Sequence, residues 1–297
     1  MSNLDLGVIG NCQIAALVDD KATIVWSCLP QFDADPVFCR LLRDDTEADA
    51  PGFFAIEILD YTRSEQEYLP NTAILMTTLF DSNGGAVRIT DFAPRYEYAG
   101  RTFTPNMLLR RIEPLHGSPR IRIRLRPARD YGASACEFTH GSNHIRYMCA
   151  DVTCRLTTNA SLTHIIDENA FVLDRELHLV LGPDETIPES CGDAFYTHFR
   201  ATRDYWQAWS RVLAIPFEWQ EAVIPAAITL KLCTFEDTGA VVAALTSFEA
   251  WDLMHDQGLD SAAVRRAWRS HLATILGACC GTGPEHIAAL RKEFCER

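Results

Sequence analysis

The side chains that most readily do chemistry crowd between positions 136 and 154, where Cys136, His140, His144, Cys149 and Cys154 fall in one stretch. Thiolate and imidazole are ligands that zinc favours, so the cluster invites a metal reading. Its spacings, C-x3-H-x3-H and C-x4-C, do not match a structural zinc site, and the chain contains no C-x-x-C. Cys279-Cys280 is an adjacent pair, poorly placed to chelate one ion together. Buried thiols and surface histidines on strands read better, and neither a metal nor a cofactor is expected.

A second cluster is cationic. Arg122, Arg124 and Arg126 share one face of an alternating run, with Arg110, Arg111, Arg120 and Arg129 nearby in sequence. A polyanion site and a solvated strand face neutralised by acidic neighbours both fit; the missing aromatic interleaving and the acidic surplus favour the second. Paired carboxylates for acid–base work on a glycosidic bond are the third option. Glu218, Glu221, Glu236, Asp237, Glu249 and Asp252 are the candidates, and spacing alone selects no pair among them. No G-x-S-x-G nucleophile elbow and no phosphate-cradling glycine loop occurs. The residues alone assign no catalytic side chain.

The elements that would carry these groups change type near Pro188. Before it come short strands. Ile14, Ala16 and Val18 alternate, Asp19–Ala22 turns, and Thr23–Trp26 returns as a hairpin. Pro30 breaks the pairing, and a polar loop over Gln31–Pro36 precedes the apolar run Val37–Leu42. Further strands are predicted over Phe53–Leu59, Thr72–Phe80, Ala86–Phe92, Ile121–Leu125, His144–Met148, Val152–Thr157 and Glu176–Leu181. Asn83-Gly84-Gly85 is the strongest hairpin signal. Strands at this spacing without intervening helices predict a two-sheet antiparallel sandwich over 1–190.

Helical spacing takes over from Asp193 to Leu213. A second helix over Glu218–Phe235 is apolar on nearly every side, as in a helix buried among helices. Thr238-Gly239 ends it, and Ala240–Leu245 is a short apolar segment. Asp260–Ala278 and Pro284–Glu296 read as two amphipathic helices, the second opened by its proline. The net charge of −13 argues against nucleic-acid and anionic-membrane partners, and no apolar run reaches membrane-spanning length. The opening residues lack a basic-then-apolar leader, so eleven scattered cysteines are expected to be reduced thiols in a cytoplasmic protein.

One resemblance organises these elements. "IGNCQIAALVDDKATIVWSCLPQFDADPVFCRLL" resembles the start of bacterial glycoside hydrolase family 15 proteins, the glucoamylase and trehalase-like group. Its shared features are a Gly-Asn hairpin and a Trp-x-Cys-x-Pro-x-Phe-Asp loop. That loop here is Trp26, Cys28, Pro30, Phe32 and Asp33, of which Trp26, Pro30, Phe32 and Asp33 are carried forward as the family-motif loop. "ITDFAPR" (89–95) and "RLRPARDYG" (124–132) resemble the family's sandwich strands, and residues 205–246 its linker helix and first barrel helix.

The resemblance implies a mainly β architecture. An antiparallel super-sandwich spans 1–190, a helical linker 191–216, the first helix of an (α/α)6 barrel 217–247, and a divergent helical tail 248–297. It also implies inverting hydrolysis of α-glucosidic bonds by two barrel glutamates, with an α-glucoside or glucan as partner. Neither glutamate has a matching position here. Where the family has Trp-Asp-Tyr-Arg, this chain has Trp251-Asp252-Leu253-Met254, read as coincidence. Twelve helices with connections need roughly two hundred residues, whereas 80 run from Glu218 to Arg297. The expectation is a truncated, inactive hydrolase chain, able to self-associate through its exposed barrel helix. The alternative is a non-catalytic sandwich that binds carbohydrate or a partner protein.

Overall fold

The computed structural model describes residues 6–42, 50–149, 152–213 and 220–236. The chain opens with β1 (Gly7–Gly10), β2 (Ala15–Val18), β3 (Ile24–Cys28), β4 (Pro36–Cys39) and β5 (Phe53–Ile58). It continues through β6 (Tyr61–Tyr68), β7 (Leu75–Asp81), β8 (Ala86–Phe92), the small hairpin β9 (Tyr96–Tyr98) and β10 (Arg101–Phe103), and β11 (Leu108–His116). Then come β12 (Arg120–Arg126), β13 (Ala128–Arg129), β14 (Ser134–Ala135), β15 (Glu137–His140), β16 (His144–Met148) and β17 (Thr153–Thr158). The last strands, β18 (Phe171–Val172) and β19 (Leu177–Pro183), follow the one-turn helix α1 (Leu162–Ile166). Two longer helices close the described chain, α2 (Cys191–Arg211) and α3 (Gln220–Leu232).

The strands assemble into a seven-stranded sheet, β1-β2-β3-β5-β12-β18 with β4 paired to β3, and an eight-stranded sheet, β15-β16-β17-β19-β11-β8-β7-β6. Every described pairing is antiparallel, as the strand spacing predicts. Between the sheets Ile9, Ile24, Phe54 and Ile56 from one meet Val87, Ile89, Ile112 and Leu179 from the other in one apolar cluster. The Asn-Gly-Gly turn joins β7 to β8: the Asp81 carboxylate accepts from the N–H groups of Asn83 (2.8 Å) and Gly85 (2.7 Å). Gly84 supplies the positive φ, +82°, that the turn requires.

The eight-stranded sheet is covered on both faces. Phe92, Leu109 and Val180 on its outer face pack against Phe195 of α2, with Phe199 alongside. The Phe92 and Phe195 rings meet edge to face at 5.3 Å, a favoured aromatic geometry. Ser190 caps α2 by accepting from the Asp193 N–H at 3.1 Å. This double coverage explains why β8 is buried at almost every position instead of alternating. Several elements differ from the sequence expectation, the long unpredicted strand β11 among them. The edge strand β6, Tyr-Thr-Arg-Ser-Glu-Gln-Glu-Tyr, is absent from that expectation, because an exposed edge has no apolar alternation to signal a strand. The composition of α3 predicts burial all round; instead Ile228 and Leu232, one turn apart, are buried while Leu230 is 65% exposed.

The chain divides into two compact units, residues 1–229 and 230–297. The segment Ala240–Leu245 and the helices expected over Asp260–Ala278 and Pro284–Glu296 lie outside the described residues, as do Glu218, Asp237, Glu249 and Asp252.

Candidate functional site

The family-motif loop is the tip of the β3–β4 hairpin. β3 and β4 pair Trp26 with Cys39 and Cys28 with Pro36. The intervening Leu29–Pro30 peptide is cis, and the Ala34 N–H closes the tip onto the Gln31 carbonyl at 3.1 Å. The four predicted residues divide by depth. Phe32 is buried, Trp26 and Pro30 are half-buried, and Asp33 is exposed to solvent. They share a hairpin without converging on one point. Beside β4 runs the later part of "RLRPARDYG" (124–132), as β13 and a 3-10 turn over Asp130–Gly132. Asp130 and Tyr131 both hold left-handed backbone, φ 53° and 55°. Such conformations cost a non-glycine residue on the order of 1 kcal/mol each and survive only where packing imposes them. Two motifs distant in sequence therefore meet at one strained corner.

A second node joins the sandwich to its helix. Asn11, fully buried, donates from its side-chain nitrogen to the carbonyls of Pro94 (3.1 Å) and Pro105 (2.8 Å). Its Oδ1 accepts from the N–H groups of Gln13 and Ile14, each at 3.1 Å, shaping the Gly-Asn turn. The Asn11 carbonyl accepts from the buried Arg95 guanidinium at 2.9 Å. The Arg95 backbone N–H donates to Thr202 Oγ1 of α2 at 3.1 Å, and its guanidinium lies 4.8 Å from the Tyr205 ring centroid. The Gly-Asn turn, the last residue of "ITDFAPR" and the helix are thus one hydrogen-bonded unit.

The same motif bridges the two sheets. Asp91 takes a bidentate contact from Arg110, Nε to Oδ1 at 2.8 Å and Nη2 to Oδ2 at 2.9 Å, with both side chains essentially unexposed. Arg110 also donates to the Phe54 carbonyl at 2.8 Å and to that of Ala22, reaching the opposite sheet. Burial pushes the Asp91 carboxyl up and the Arg110 charge opposes it. Arg110 is therefore a core residue and no part of the outer cationic face. On that face, Arg124 and Arg126 both hold Glu168, and Arg124 also reaches Glu57 at 3.1 Å. Burial alone would raise Glu168; the hydrogen bonds from Arg126 and Arg124 outweigh it and hold the carboxyl below its ordinary range. Arg122, Arg124 and Arg126 are thus paired with acidic neighbours, as the neutralised-face reading expects.

At the other edge of α2 a cavity of about 190 Å³ opens between β17, β19 and the Pro183–Glu189 loop. Arg155, Thr157, Glu185, Glu189 and His198 supply its polar lining. Burial lowers His198, with Glu189 opposing, so its imidazole is neutral at pH 7. No spacing in the sequence marks this set, which comes from one strand, a loop and a helix. Of the thiol and imidazole candidates, Cys136 and Cys154 are buried, Cys149 is half-buried and His140 is exposed. Among the described residues no group of three or more metal-ligating side chains is arranged to hold an ion. Among the described carboxylate candidates, Glu221 lies in the first turn of α3, and Glu236 lies beyond its end at 4.0 Å from Lys231. No described helix is long and apolar enough to cross a membrane.

Fold and site together define an antiparallel sandwich whose motif residues join its sheets, a strained corner and a helical extension. The chain belongs to the trehalase-like N-terminal family, whose model matches residues 4–172. A second family model, homocysteine S-methyltransferase, matches residues 139–294. The part of that match shared with the first family, 139–172, includes β16 and β17, strands continuous with the eight-stranded sheet. The remainder takes in β19, α2 and α3 and then continues beyond the described residues. Among curated relatives, the trehalase of Thermoplasma volcanium is 26% identical over 259 residues, covering 81% of this chain and 39% of that protein. The trehalase of Thermoplasma acidophilum is 26% identical over 78% of this chain and 40% of its own length. Trehalase 1 of Sulfolobus acidocaldarius is 40% identical over 96 residues, 32% of this chain and 16% of that protein. The chain thus spans about two fifths of the first two relatives.

Proposed function

We propose that this chain supplies the sandwich and linker of a cytoplasmic glycoside hydrolase that cleaves α-glucosidic bonds with inversion, and that the chain alone is not hydrolytic. Trehalose or an α-1,4-glucan is the substrate class in this reading. The observation that carries it is the Asn11–Arg95–Thr202 connection, in which a residue from each of two family-like stretches helps hold a helix against the sandwich. Inverting hydrolysis needs an acid and a base on opposite faces of a sugar, with room between them for a water. Each also needs a pocket that sets its pKa. Neither of the two glutamates that the family resemblance implies has a matching position in this chain, which supports reading the chain by itself as non-hydrolytic.

In this reading 1–190 is the sandwich, 191–216 the linker and 217–247 the first barrel helix. The homocysteine S-methyltransferase match, which reaches residue 294, supports reading 248–297 as sequence joined from another family and not as barrel. The exposed Leu230 and Val223 of α3 support self-association through that helix. The test is glucose release from trehalose, maltose and soluble starch by the purified chain. None above a buffer blank is expected. Sustained turnover that a single carboxylate substitution within this chain abolishes would overturn the reading.

The cavity beside α2 favours a second reading, a non-catalytic sandwich that binds carbohydrate. It has room for a single sugar ring, and its arginine, carboxylates, threonine and imidazole are groups that hydrogen-bond hydroxyls. Calorimetric titration with glucose, trehalose and maltose separates the two readings. Binding heat that Arg155→Ala removes, without glucose release, selects the second.

A further inference from the structure

The hydrolase reading leaves the thiol cluster of the eight-stranded sheet unused. β15 and β16 pair Glu137 with Met148, and the same register places Cys136 directly opposite Cys149, one position beyond. The Cys136 thiol points at the Cys149 sulfur and is in direct contact with it. β16 and β17 pair Tyr147 with Cys154, so Cys154 stands diagonally from Cys149. Cys136 and Cys154 belong to the buried core, and Cys149 packs against it while half-exposed. Only the middle thiol of this row meets solvent.

We propose that Cys136 and Cys149 are a thiol–disulfide exchange site that accepts a low-molecular-weight disulfide of the glutathione type. The Cys149 thiolate attacks one sulfur of the disulfide, forming a mixed disulfide and releasing one thiolate. Cys136, losing its proton, then attacks the Cys149 sulfur and displaces the second thiolate. The two cysteine protons end on the two released thiols. Two protein thiols are oxidised and one small disulfide is reduced.

Strand geometry selects the partner. Residues directly opposite on antiparallel strands have Cα atoms about 4.5–5.5 Å apart, inside the range of about 4.4–6.8 Å that a disulfide spans. Diagonal neighbours stand about 7–8 Å apart, outside it. Cys136 therefore resolves the mixed disulfide and Cys154 does not. The product ties β15, an exposed edge strand with one neighbour, to the rest of its sheet. Exchange is slow at neutral pH. Contact with Cys149 and then burial push the Cys136 thiol up, and Cys149 is also raised overall: contact with Cys136 lowers it, while contact with Cys154 and burial outweigh that effect. Oxidation should accelerate as pH rises.

The experiment treats the reduced full chain with oxidised glutathione at pH 7 and pH 9, blocks free thiols in acid, and maps cross-links by mass spectrometry. A Cys136–Cys149 cross-link is expected, forming several-fold faster at pH 9. Cys136→Ser should instead accumulate glutathione on Cys149, and Cys154→Ser should leave the cross-link intact. Persistence of both thiols, a dominant Cys149–Cys154 cross-link, or a Cys136–Cys149 link that forms only in urea would each overturn the proposal.

Discussion

Two arginine–carboxylate networks lie at different depths of this sandwich. In the core, Arg110 and Asp91 are a bidentate pair essentially without exposure, and Arg110 also donates to two carbonyls across the inter-sheet space. On the outer face of the seven-stranded sheet, Arg124 and Arg126 hold Glu168 with side chains 14%, 27% and 21% exposed. The chemistry is the same and the solvent is not. Water can take over the outer contacts when one is lost, whereas nothing replaces a partner lost from the interior. The inner pair fixes how the sheets face each other; the outer network neutralises a strand that would otherwise repel itself.

The sharpest way to break the comparison is to remove one inner partner. Arg110→Ala leaves Asp91 buried without its cation and two carbonyls without a donor. The expected loss is about 3–5 kcal/mol, read from the urea midpoint. Replacing both partners, Arg110→Met with Asp91→Leu, should cost much less, since no stranded charge remains. A single substitution costing less than about 1 kcal/mol would mean that water reaches the pair and that depth is not what separates the networks.

The sequence reveals the outer network better than the inner one. Arg122, Arg124 and Arg126 alternate, so one face of a strand can be read directly from them. Arg110 carries no such mark; it is sequence-adjacent to Arg111, the pleat of β11 turns the two to opposite faces, and nothing local says which of them faces inward. Strands such as β2, β7 and β12, and the helix α2, are legible because burial on one face leaves a period in the residues. β6 is not, since an exposed edge leaves none, and neither is the full burial of β8, which depends on α2 much later in the chain. The Asn11–Arg95 contact spans 84 positions, and local spacing cannot signal it. The cavity beside α2 is assembled from separate segments and is hidden for the same reason.

The outer network sharpens the comparison through pH. Glu168→Gln should cost about 1–2 kcal/mol at pH 7, a cost reduced by added salt. The native carboxyl is held below its ordinary value of 4.5. The unfolded chain therefore binds its proton first as pH falls, and the stability that Glu168 contributes is complete above that value. It shrinks as pH drops below 4.5 and is gone once pH passes under the native pKa. Denaturation curves of the native chain and the variant should converge as pH falls below 4.5. A difference that stays constant over that range would show that Glu168 acts by packing, not charge.

The smallest effect is expected at the hairpin tip, where a charge stands in solvent. Asp33 is exposed, while its neighbour Phe32 is buried. Its charge, after burial itself and Asp35 and Cys39, is among the causes that hold the buried Cys28 thiol protonated, so removing it relaxes an unfavourable field without uncovering any apolar surface. Asp33→Ala should therefore change stability by no more than about 0.5 kcal/mol in either direction. Thermal melts of the variant and native chain, run side by side at pH 7, check this. A loss above about 1 kcal/mol would place Asp33 among the residues that hold the β3–β4 hairpin closed. It would also remove the distinction between a motif residue that builds the corner and one that the corner presents to solvent.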